Sequence, residues 1–171
     1  ITIGGVEEIE EEVFFIGTGE ENALEEVRIL GSVQRIGGWA FAPNNYYTYY
    51  SYNSSTATAR LIIEEGVESI GTGAFADCSG LTSVTIPNSM TTIGEYAFAG
   101  CTGLTSATIP DSVTSIRSSA FAGCTNLTSV TIGTGLTNIG DGAFSDCANL
   151  SMVYFPDMHR NWYSYTEPCL P

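Results

Sequence analysis

The chain has no lysine and little positive charge of any kind. Its 171 residues include 5 Lys+Arg, all of them arginine, against 19 Asp+Glu, and the formal net charge at pH 7 is −14. Nucleic acids and anionic bilayers present phosphate groups, and proteins bind them through clusters of basic side chains. We therefore expect no nucleic-acid partner and no direct insertion into a membrane.

Long apolar runs and catalytic motifs are scarce as well. The apolar run at residues 13–16 is short, whereas a membrane-spanning helix needs about 20 apolar residues. The single histidine, His159, is not accompanied by a nucleophile motif of the kind that a catalytic triad requires. Zinc requires convergent ligands, which evenly spaced cysteines do not supply. We expect no enzymatic activity, no cofactor and no metal site.

Apolar residues, in contrast, are abundant enough to form a core. Hydrophobic residues make up 43% of the chain, and there are 19 glycines. A chain of this length and composition favours one folded domain over residues 1–171. Because the sequence begins with Ile1 and not with Met, we expect a processed or partial chain, in which a missing signal peptide says nothing about secretion.

The dominant feature of the sequence is a repeat of 23 residues. Three residue types recur at this interval, namely Phe75, Phe98, Phe121 and Phe144, then Cys78, Cys101, Cys124 and Cys147, then Leu81, Leu104, Leu127 and Leu150. A fixed period of this length is typical of a solenoid, in which no unit buries its apolar residues alone and stacked units bury them together.

Each unit predicts one short strand followed by a turn. Val84 and Ile86 alternate with Thr85, which is the pattern of a half-buried strand, and Pro87 then ends the pairing. Apolar residues every third position and an Ala-Phe pair predict a short helical or 3-10 turn on the opposite side. The same strand position recurs in about seven parallel strands, centred near Ile3, Ile29, Ile63, Ile86, Ile109, Ile132 and Phe155.

The repeated letters Ala-Phe-x-x-Cys-x-x-Leu-x-x-Val-x-Ile-Pro resemble the BspA-type (Treponema-type) leucine-rich repeat. The pattern is regular over residues 70–156, partial over residues 27–70 and weak over residues 1–26. The resemblance implies a right-handed α/β solenoid and a non-catalytic, extracellular or cell-surface adhesion module whose partner is a protein or a glycan on a cell surface. No binding residue is carried over with the motif, because its letters are all core positions.

An insertion at residues 42–59 interrupts the second unit and is rich in tyrosine. Tyrosine with small polar residues is the composition that binding loops favour, because the ring gives a large contact area at low entropic cost. The alternative is that some of these rings pack back on the solenoid. We predict a ligand-binding surface made of these tyrosines, with Trp162 from the C-terminal tail at residues 157–171, namely Tyr46, Tyr47, Tyr49, Tyr50, Tyr52 and Trp162.

The outward side of the strands predicts a row of hydroxyl groups. Alternate residues along three successive strands are Ser or Thr, namely Ser83/Thr85, Ser106/Thr108 and Ser129/Thr131. The strand before them has Arg60 and Ile62 at these positions, and the strand after them has Met152 and Tyr154. Serine and threonine are also simply favourable on a strand surface.

Three Asn-x-Ser/Thr sequons predict N-glycosylation at Asn53, Asn126 and Asn149 if the source organism glycosylates its proteins. The last two share a repeat position with Gly80 and Gly103. A position that alternates Gly with Asn predicts a left-handed backbone at an exposed turn.

The cysteine ladder allows two interpretations. Stacked neighbours lie about 4.8 Å apart, which is compatible with a disulfide, but their side chains should point in parallel into the core as buried thiols. We favour the reduced form. Cys169 lies outside the register and has no evident partner.

The two ends of the solenoid predict an acidic cap or, alternatively, self-assembly. Nine of the 19 acidic residues lie near the N-terminus and suggest a solvated cap more than a calcium site: Glu7, Glu8, Glu10, Glu11, Glu12, Glu20, Glu21, Glu25 and Glu26. The chain nevertheless opens directly on the strand of Ile1 and Ile3. Open ends that fit one another could stack head to tail as the protomer of an extracellular filament.

Overall fold

The computed structural model describes residues 2–10, 26–42 and 59–155. In these ranges the chain forms short parallel strands that recur coil after coil. In chain order they are β1 (Thr2–Ile3), β2 (Glu8–Ile9), β3 (Glu26–Ile29), β4 (Arg35–Ile36), β5 (Ala59–Ile63), β6 (Ser69–Ile70), β7 (Leu81–Thr85), β8 (Thr92–Ile93), β9 (Ser106–Ile109), β10 (Ser115–Ile116), β11 (Ser129–Ile132), β12 (Asn138–Ile139) and β13 (Met152–Tyr154).

The strands lie on two sides of a β-solenoid. The odd-numbered strands form a four-stranded sheet, β1-β3-β5-β7, and a three-stranded sheet, β9-β11-β13, and β7 lies beside β9. The even-numbered strands form a six-stranded sheet from β2 to β12. The predicted solenoid of stacked parallel strands is therefore confirmed, although the single face expected for the odd-numbered strands is divided between two sheets.

The second sheet occupies the side on which the sequence predicted helical or 3-10 turns. Its apolar residues are three positions apart, as in Met90 and Ile93, and both of these side chains are fully buried. Two outward residues therefore separate consecutive inward residues. Because a strand turns every second side chain inward, this spacing allows a strand of only two residues before the chain bends. The threonine that precedes these strands forms a hydrogen bond with the preceding coil, as Thr114 Oγ1 donates to Thr91 O (3.2 Å) and Thr137 Oγ1 donates to Thr114 O (2.9 Å).

A third side, which we call the turn side, consists of residues 38–42, 72–78, 95–101, 118–124 and 141–147. The expected helical turns are not found here, and no helix occurs in residues 2–10, 26–42 or 59–155. Backbone N–H groups alternate between two kinds of acceptor. Phe75 N donates to Ala97 O in the next coil (2.8 Å), whereas Ala76 N donates to Gly73 O in its own coil (2.9 Å).

Left-handed residues account for this alternation. Gly73 has a φ of 62° and Asp77 a φ of 59°, and later coils repeat left-handed residues at both positions. An α-helix requires consecutive right-handed residues, so two left-handed residues four positions apart exclude one. The left-handed backbone expected at the position shared by Asn126 and Asn149 is not found, because the turn places that conformation elsewhere.

Stacked phenylalanine rings form the centre of the core. Five rings lie nearly parallel, with interplanar angles of 7° to 14° and centroid distances of 4.9 Å, 5.3 Å, 5.2 Å and 5.4 Å between consecutive members of Phe41, Phe75, Phe98, Phe121 and Phe144. This spacing matches the distance between hydrogen-bonded strands, about 4.8 Å. Each coil thus places one ring directly on the ring of the coil before it.

The four cysteines of the repeat form a second internal ladder, and all four are buried free thiols. Each thiol donates to the carbonyl of the phenylalanine one coil earlier, as Cys101 Sγ does to Phe75 O and Cys124 Sγ to Phe98 O, both at 3.2 Å. The favoured reduced form agrees with this arrangement. Burial and the charge of Asp77 raise the pKa of the Cys78 thiol to about 12.

No helix in the described part of the chain is long and apolar enough to cross a membrane.

The phenylalanine stack predicts a large cost for removing one ring. Phe98→Ala should lower the free energy of unfolding by about 3–5 kcal/mol, because the ring is fully buried between two others and the cavity cannot collapse without shifting both. Urea denaturation followed by circular dichroism measures the change. The exposed Thr105→Ala serves as control and should stay within about 0.5 kcal/mol of the wild type, and a neutral Phe98→Ala would show that the rings are not stacked.

The cysteine ladder predicts thiols that are protected from alkylation in the folded protein. In a Cys169→Ser background, iodoacetamide should leave the four ladder thiols unmodified until denaturant is added, since all four are buried away from the reagent. Burial also disfavours the reactive thiolate by raising the pKa of the thiols of Cys78 and Cys101. Intact mass spectrometry counts the added groups. A non-reducing mass lower by two protons per cysteine pair would instead show disulfides.

Candidate functional site

The outward side chains of the odd-numbered strands form an exposed surface, here called the strand face. Strand pairing sets them in rows, because Ser106 lies opposite Ser129 and Thr108 opposite Thr131. The row of hydroxyl groups expected from the sequence is therefore present. Its width is two outward residues per strand, and its length is the stack of strands from β3 to β13.

Within the described residues, the hydroxyl groups of the strand face form no hydrogen bonds. In the described part of the chain, no hydrogen bond is formed by the side chains of Ser83, Thr85, Ser106, Thr108, Ser129 or Thr131. The threonines at the edges differ, since Thr128 Oγ1 donates to Thr105 O at 3.0 Å. The strand-face hydroxyls are thus available as donors and acceptors for a ligand, whereas the edge hydroxyls already stabilise the stack.

An ion-pair cluster borders the strand face at its N-terminal end. Arg28 bonds Glu26 (3.2 Å) and Glu64 (3.0 Å), and Arg60 reaches Glu26 from the next strand (3.1 Å). Partly exposed pairs of this kind contribute little to stability. They do fix two guanidinium groups on the surface, and they give this end a polar, nearly neutral character within an acidic protein.

Large apolar side chains border the opposite end. Met152 is 62% exposed and Tyr154 is 57% exposed, and both lie on β13. Side chains of this size and exposure are typical of contact residues at interfaces. The strand face therefore runs from ion pairs through hydroxyl groups to an apolar end.

The predicted tyrosine surface lies outside the described residues, which exclude Trp162 and the following positions of the insertion: Tyr46, Tyr47, Tyr49, Tyr50, Tyr52 and Asn53. Both flanks of the insertion are described. Ala42 is buried at the end of the turn side, and Ala59 begins β5, one residue before Arg60. The insertion therefore rejoins the solenoid at the strand face.

A register irregularity marks this junction. Ala59 pairs with Leu81, but Arg60 pairs with Ser83, so that β7 carries one extra residue opposite the start of β5. Such β-bulges redirect the strand and its side chains and often occur beside binding sites.

Of the predicted glycosylation sites, Asn126 and Asn149 are both exposed. The Asn149 side chain donates from Nδ2 to Thr125 O at 2.7 Å. Modification of either residue stays a prediction.

The acidic N-terminal stretch is described only in part. Glu8 bonds Arg35 at 2.7 Å, and this hydrogen bond and the arginine charge lower the pKa of the Glu8 carboxyl. Glu26 belongs to the ion-pair cluster above. Residues 2–10, 26–42 and 59–155 contain no group of three or more His, Cys, Asp or Glu side chains that could hold a metal ion, and His159 and Cys169 lie outside these ranges.

The ion-pair cluster is the feature that sequence reasoning missed. Glu26 and Arg60 are 34 positions apart, and most of that interval is the insertion. The only sequence signal for the pair was that both residues occupy the same strand position in consecutive units.

Comparison with known proteins identifies the repeat. A family model described as the BspA type leucine-rich repeat region matches residues 45–166 in six copies. No curated protein sequence matches the chain.

Solved structures of bacterial proteins resemble the solenoid. The T. pallidum leucine-rich repeat protein is 23% identical with a TM-score of 0.67, over 85% of this chain and 70% of that one. A leucine-rich cell surface protein from Faecalibacterium prausnitzii is 30% identical with a TM-score of 0.52, over 90% of this chain and 45% of that one. The pneumococcal vaccine antigen PcpA is 25% identical with a TM-score of 0.61, over 84% and 33%. The chain spans less than half the length of the last two proteins.

Proposed function

The chain belongs to the BspA-type leucine-rich repeat family, and we propose that it is a non-catalytic recognition module at a bacterial cell surface. The surface location is supported by the F. prausnitzii relative, which is described as a cell surface protein, and by the pneumococcal relative, which is described as a vaccine antigen. Solenoids of stacked repeats provide extended rigid surfaces suited to recognition.

The strand face is the binding surface in this proposal. The observation that carries it is the contrast between two sets of hydroxyl groups. Those at the strand edges, such as Thr114 and Thr128, bond to the backbone of the neighbouring coil, whereas those of the strand face bond nothing in the described part. Polar groups that the fold does not use are the groups that a protein or glycan ligand can engage.

The tyrosines of the insertion and Trp162 complete the proposed surface. The insertion is followed by Ala59, the first residue of β5 and the neighbour of Arg60, and this connection supports assigning its tyrosines to the same surface. Tyrosine rings would then supply the apolar contact that the hydroxyl rows lack, as Met152 and Tyr154 do at the other end. The partner is a protein or glycan of a host or neighbouring cell, and binding requires no cofactor.

Substitutions on the insertion and on β13 test this assignment separately. The triple variant Tyr47→Ser, Tyr49→Ser, Tyr50→Ser should lose at least about tenfold in binding to a printed glycan array or to intact epithelial cells, with an unchanged melting temperature. The pair Met152→Ser, Tyr154→Ser should weaken binding through the opposite end of the strand face.

Thr92→Ala and Ser115→Ala on the second sheet form the matched control and should bind like the wild type. Wild-type binding by both the tyrosine and the β13 variants would reject the strand face and the insertion as the binding surface.

A second candidate function, a filament protomer, is favoured by the arrangement of the sheets. In the described part, β1 and β2 are the outermost strands at one end, and β12 and β13 are outermost at the other. Outer strands can accept a further strand from another copy of the chain. A head-to-tail contact that does not close into a ring produces an open filament. Acidic side chains oppose this contact, because exposed Glu7, Glu8 and Glu10 lie at one end and exposed Asp141 and Asp146 at the other.

Head-to-tail assembly should therefore depend on salt. Raising the ionic strength screens the acidic ends and should lengthen any assemblies, as seen by negative-stain electron microscopy and light scattering. Single particles with the mass of one chain at every ionic strength would exclude the filament.

A further inference from the structure

Five residues on the turn side share one position in successive coils and a left-handed backbone, namely Trp39, Gly73, Tyr96, Ser119 and Gly142. Glycine adopts this conformation without strain, whereas a bulky residue there is an outlier. Tyr96 nevertheless has a φ of 54°. Residues held against their backbone preference occur most often at functional sites.

Packing explains the other aromatic residue in this row but does not explain Tyr96. The ring of Trp39 lies so close to Gly73 that a Cβ on the glycine would be 2.6 Å from it. Trp39 thus covers the backbone of the next coil. The Tyr96 side chain makes no ring contact in the described residues, and the residue is 42% exposed.

Arg117 is a second departure from the repeat, in a neighbouring row. The same position in adjacent coils is Gly71, Gly94 and Gly140, where the coils approach closely. A Cβ on Gly94 would lie 2.6 Å from Gly71 O, and one on Gly140 would lie 2.2 Å from Ser118 N. Arg117 is therefore a long exposed side chain in a row of glycines.

Arg117 is also the one arginine of the described residues that forms no ion pair, since the others are held by Glu8, Glu26 or Glu64. Its neighbours on the turn side include Glu95 and Asp141, one coil to either side, and neither carboxylate pairs with it. The guanidinium keeps its full hydrogen-bonding capacity.

The fold brings these two departures together. Arg117 N donates to Ile93 O at 3.0 Å, and Tyr96 N donates to Ser118 O at 3.1 Å. Tyr96 and Arg117 are therefore diagonal neighbours on adjacent coils. Arg117 directly precedes Ser118, whose carbonyl accepts from Tyr96 N, so the two backbones are close in space, and both side chains are exposed.

From this juxtaposition we propose that Tyr96 and Arg117 form a binding site for a saccharide that carries a carboxylate. The face of a tyrosine ring packs against the C–H groups of a sugar ring, and a guanidinium binds a carboxylate through two parallel charge-assisted hydrogen bonds. The half-buried Ser118 and Ser119 add hydroxyl groups beside them.

The charge of the protein limits which ligands fit. With a net charge of −14 and with Glu95 and Asp141 nearby, a polyanion such as a long acidic peptide is repelled, whereas a terminal sugar with one carboxylate meets the unpaired arginine directly. Sialic acids and uronic acids share this chemistry. The site lies where the second sheet meets the turn side, away from the strand face, and it is independent of the binding surface proposed above.

Sialyllactose, lactose, a glucuronic-acid disaccharide and a short Asp/Glu peptide are suitable probes. In amide NMR titrations of the full chain, an acidic sugar should shift the signals of Tyr96, Arg117, Ser118 and Ser119, and lactose should bind more weakly. Comparison of sialyllactose with the glucuronic-acid disaccharide identifies which acidic sugar is preferred.

Variants that restore the repeat separate binding from folding. Arg117→Gly and Arg117→Gln should weaken binding of the acidic sugar at least about tenfold and leave lactose binding unchanged. Tyr96→Gly and Tyr96→Asn should weaken binding of both sugars, and both residues tolerate a left-handed backbone, so the melting temperature should not fall. Arg35→Gln makes the same change in net charge three coils away, in β4, and should bind like the wild type.

Three results would overturn the proposal: the absence of shifts at these residues with either acidic sugar, shifts that persist in the Arg117 variants, or a preference for the acidic peptide. Because the site and the strand face are separate, each proposal can fail alone. The variants of Tyr96 and Arg117 should change sugar binding and leave binding at the strand face intact, and the variants of the strand face should do the reverse.

Discussion

Hydrogen bonds between successive coils are the constraint on which the rest of this structure depends. On two sides they are the ladders of parallel strands, and on the turn side they link every second N–H group to the next coil. They fix the distance between coils, and that distance stacks the phenylalanine rings. The same spacing brings each thiol under the carbonyl of the preceding coil, so that the core is a consequence of how the backbone is bonded.

A fold of this kind separates residues with structural roles from residues that are available for binding. Inward positions repeat the same few apolar side chains, and small residues occupy the places where coils approach closely. Outward positions are under no such restriction. Differences between one coil and the next therefore indicate recognition more directly than the repeat itself does, which is why the ion-pair cluster, the apolar end on β13 and the pair of Tyr96 and Arg117 are informative.

The sequence was sufficient to predict the solenoid, because the 23-residue period of Phe98 and Cys101 reports which side chains must be buried together. It also predicted the rows of hydroxyl groups, since alternation along a strand is a local property. The turn side could not be predicted in the same way, because Ala-Phe in a short apolar segment is compatible with a helix. Only the left-handed conformations of residues such as Asp77 and Ser119, which the neighbouring coils impose, decide against it. The contact of Glu26 with Arg60 likewise depends on how strands pair across a long insertion.

The backbone hydrogen bonds between coils on the turn side all have the same direction. The N–H groups of Phe75 and Phe98 point toward the C-terminal end of the solenoid, and the carbonyls that they reach, on Ala97 and Ala120, point back toward the N-terminal end. Aligned peptide dipoles add, as they do in a helix, whereas those of a β-sheet largely cancel. The turn side therefore carries a net dipole along the axis, with its positive pole at the C-terminal end, where Asp141 and Asp146 are located. The two ends of the molecule are electrostatically different even where their side chains are alike.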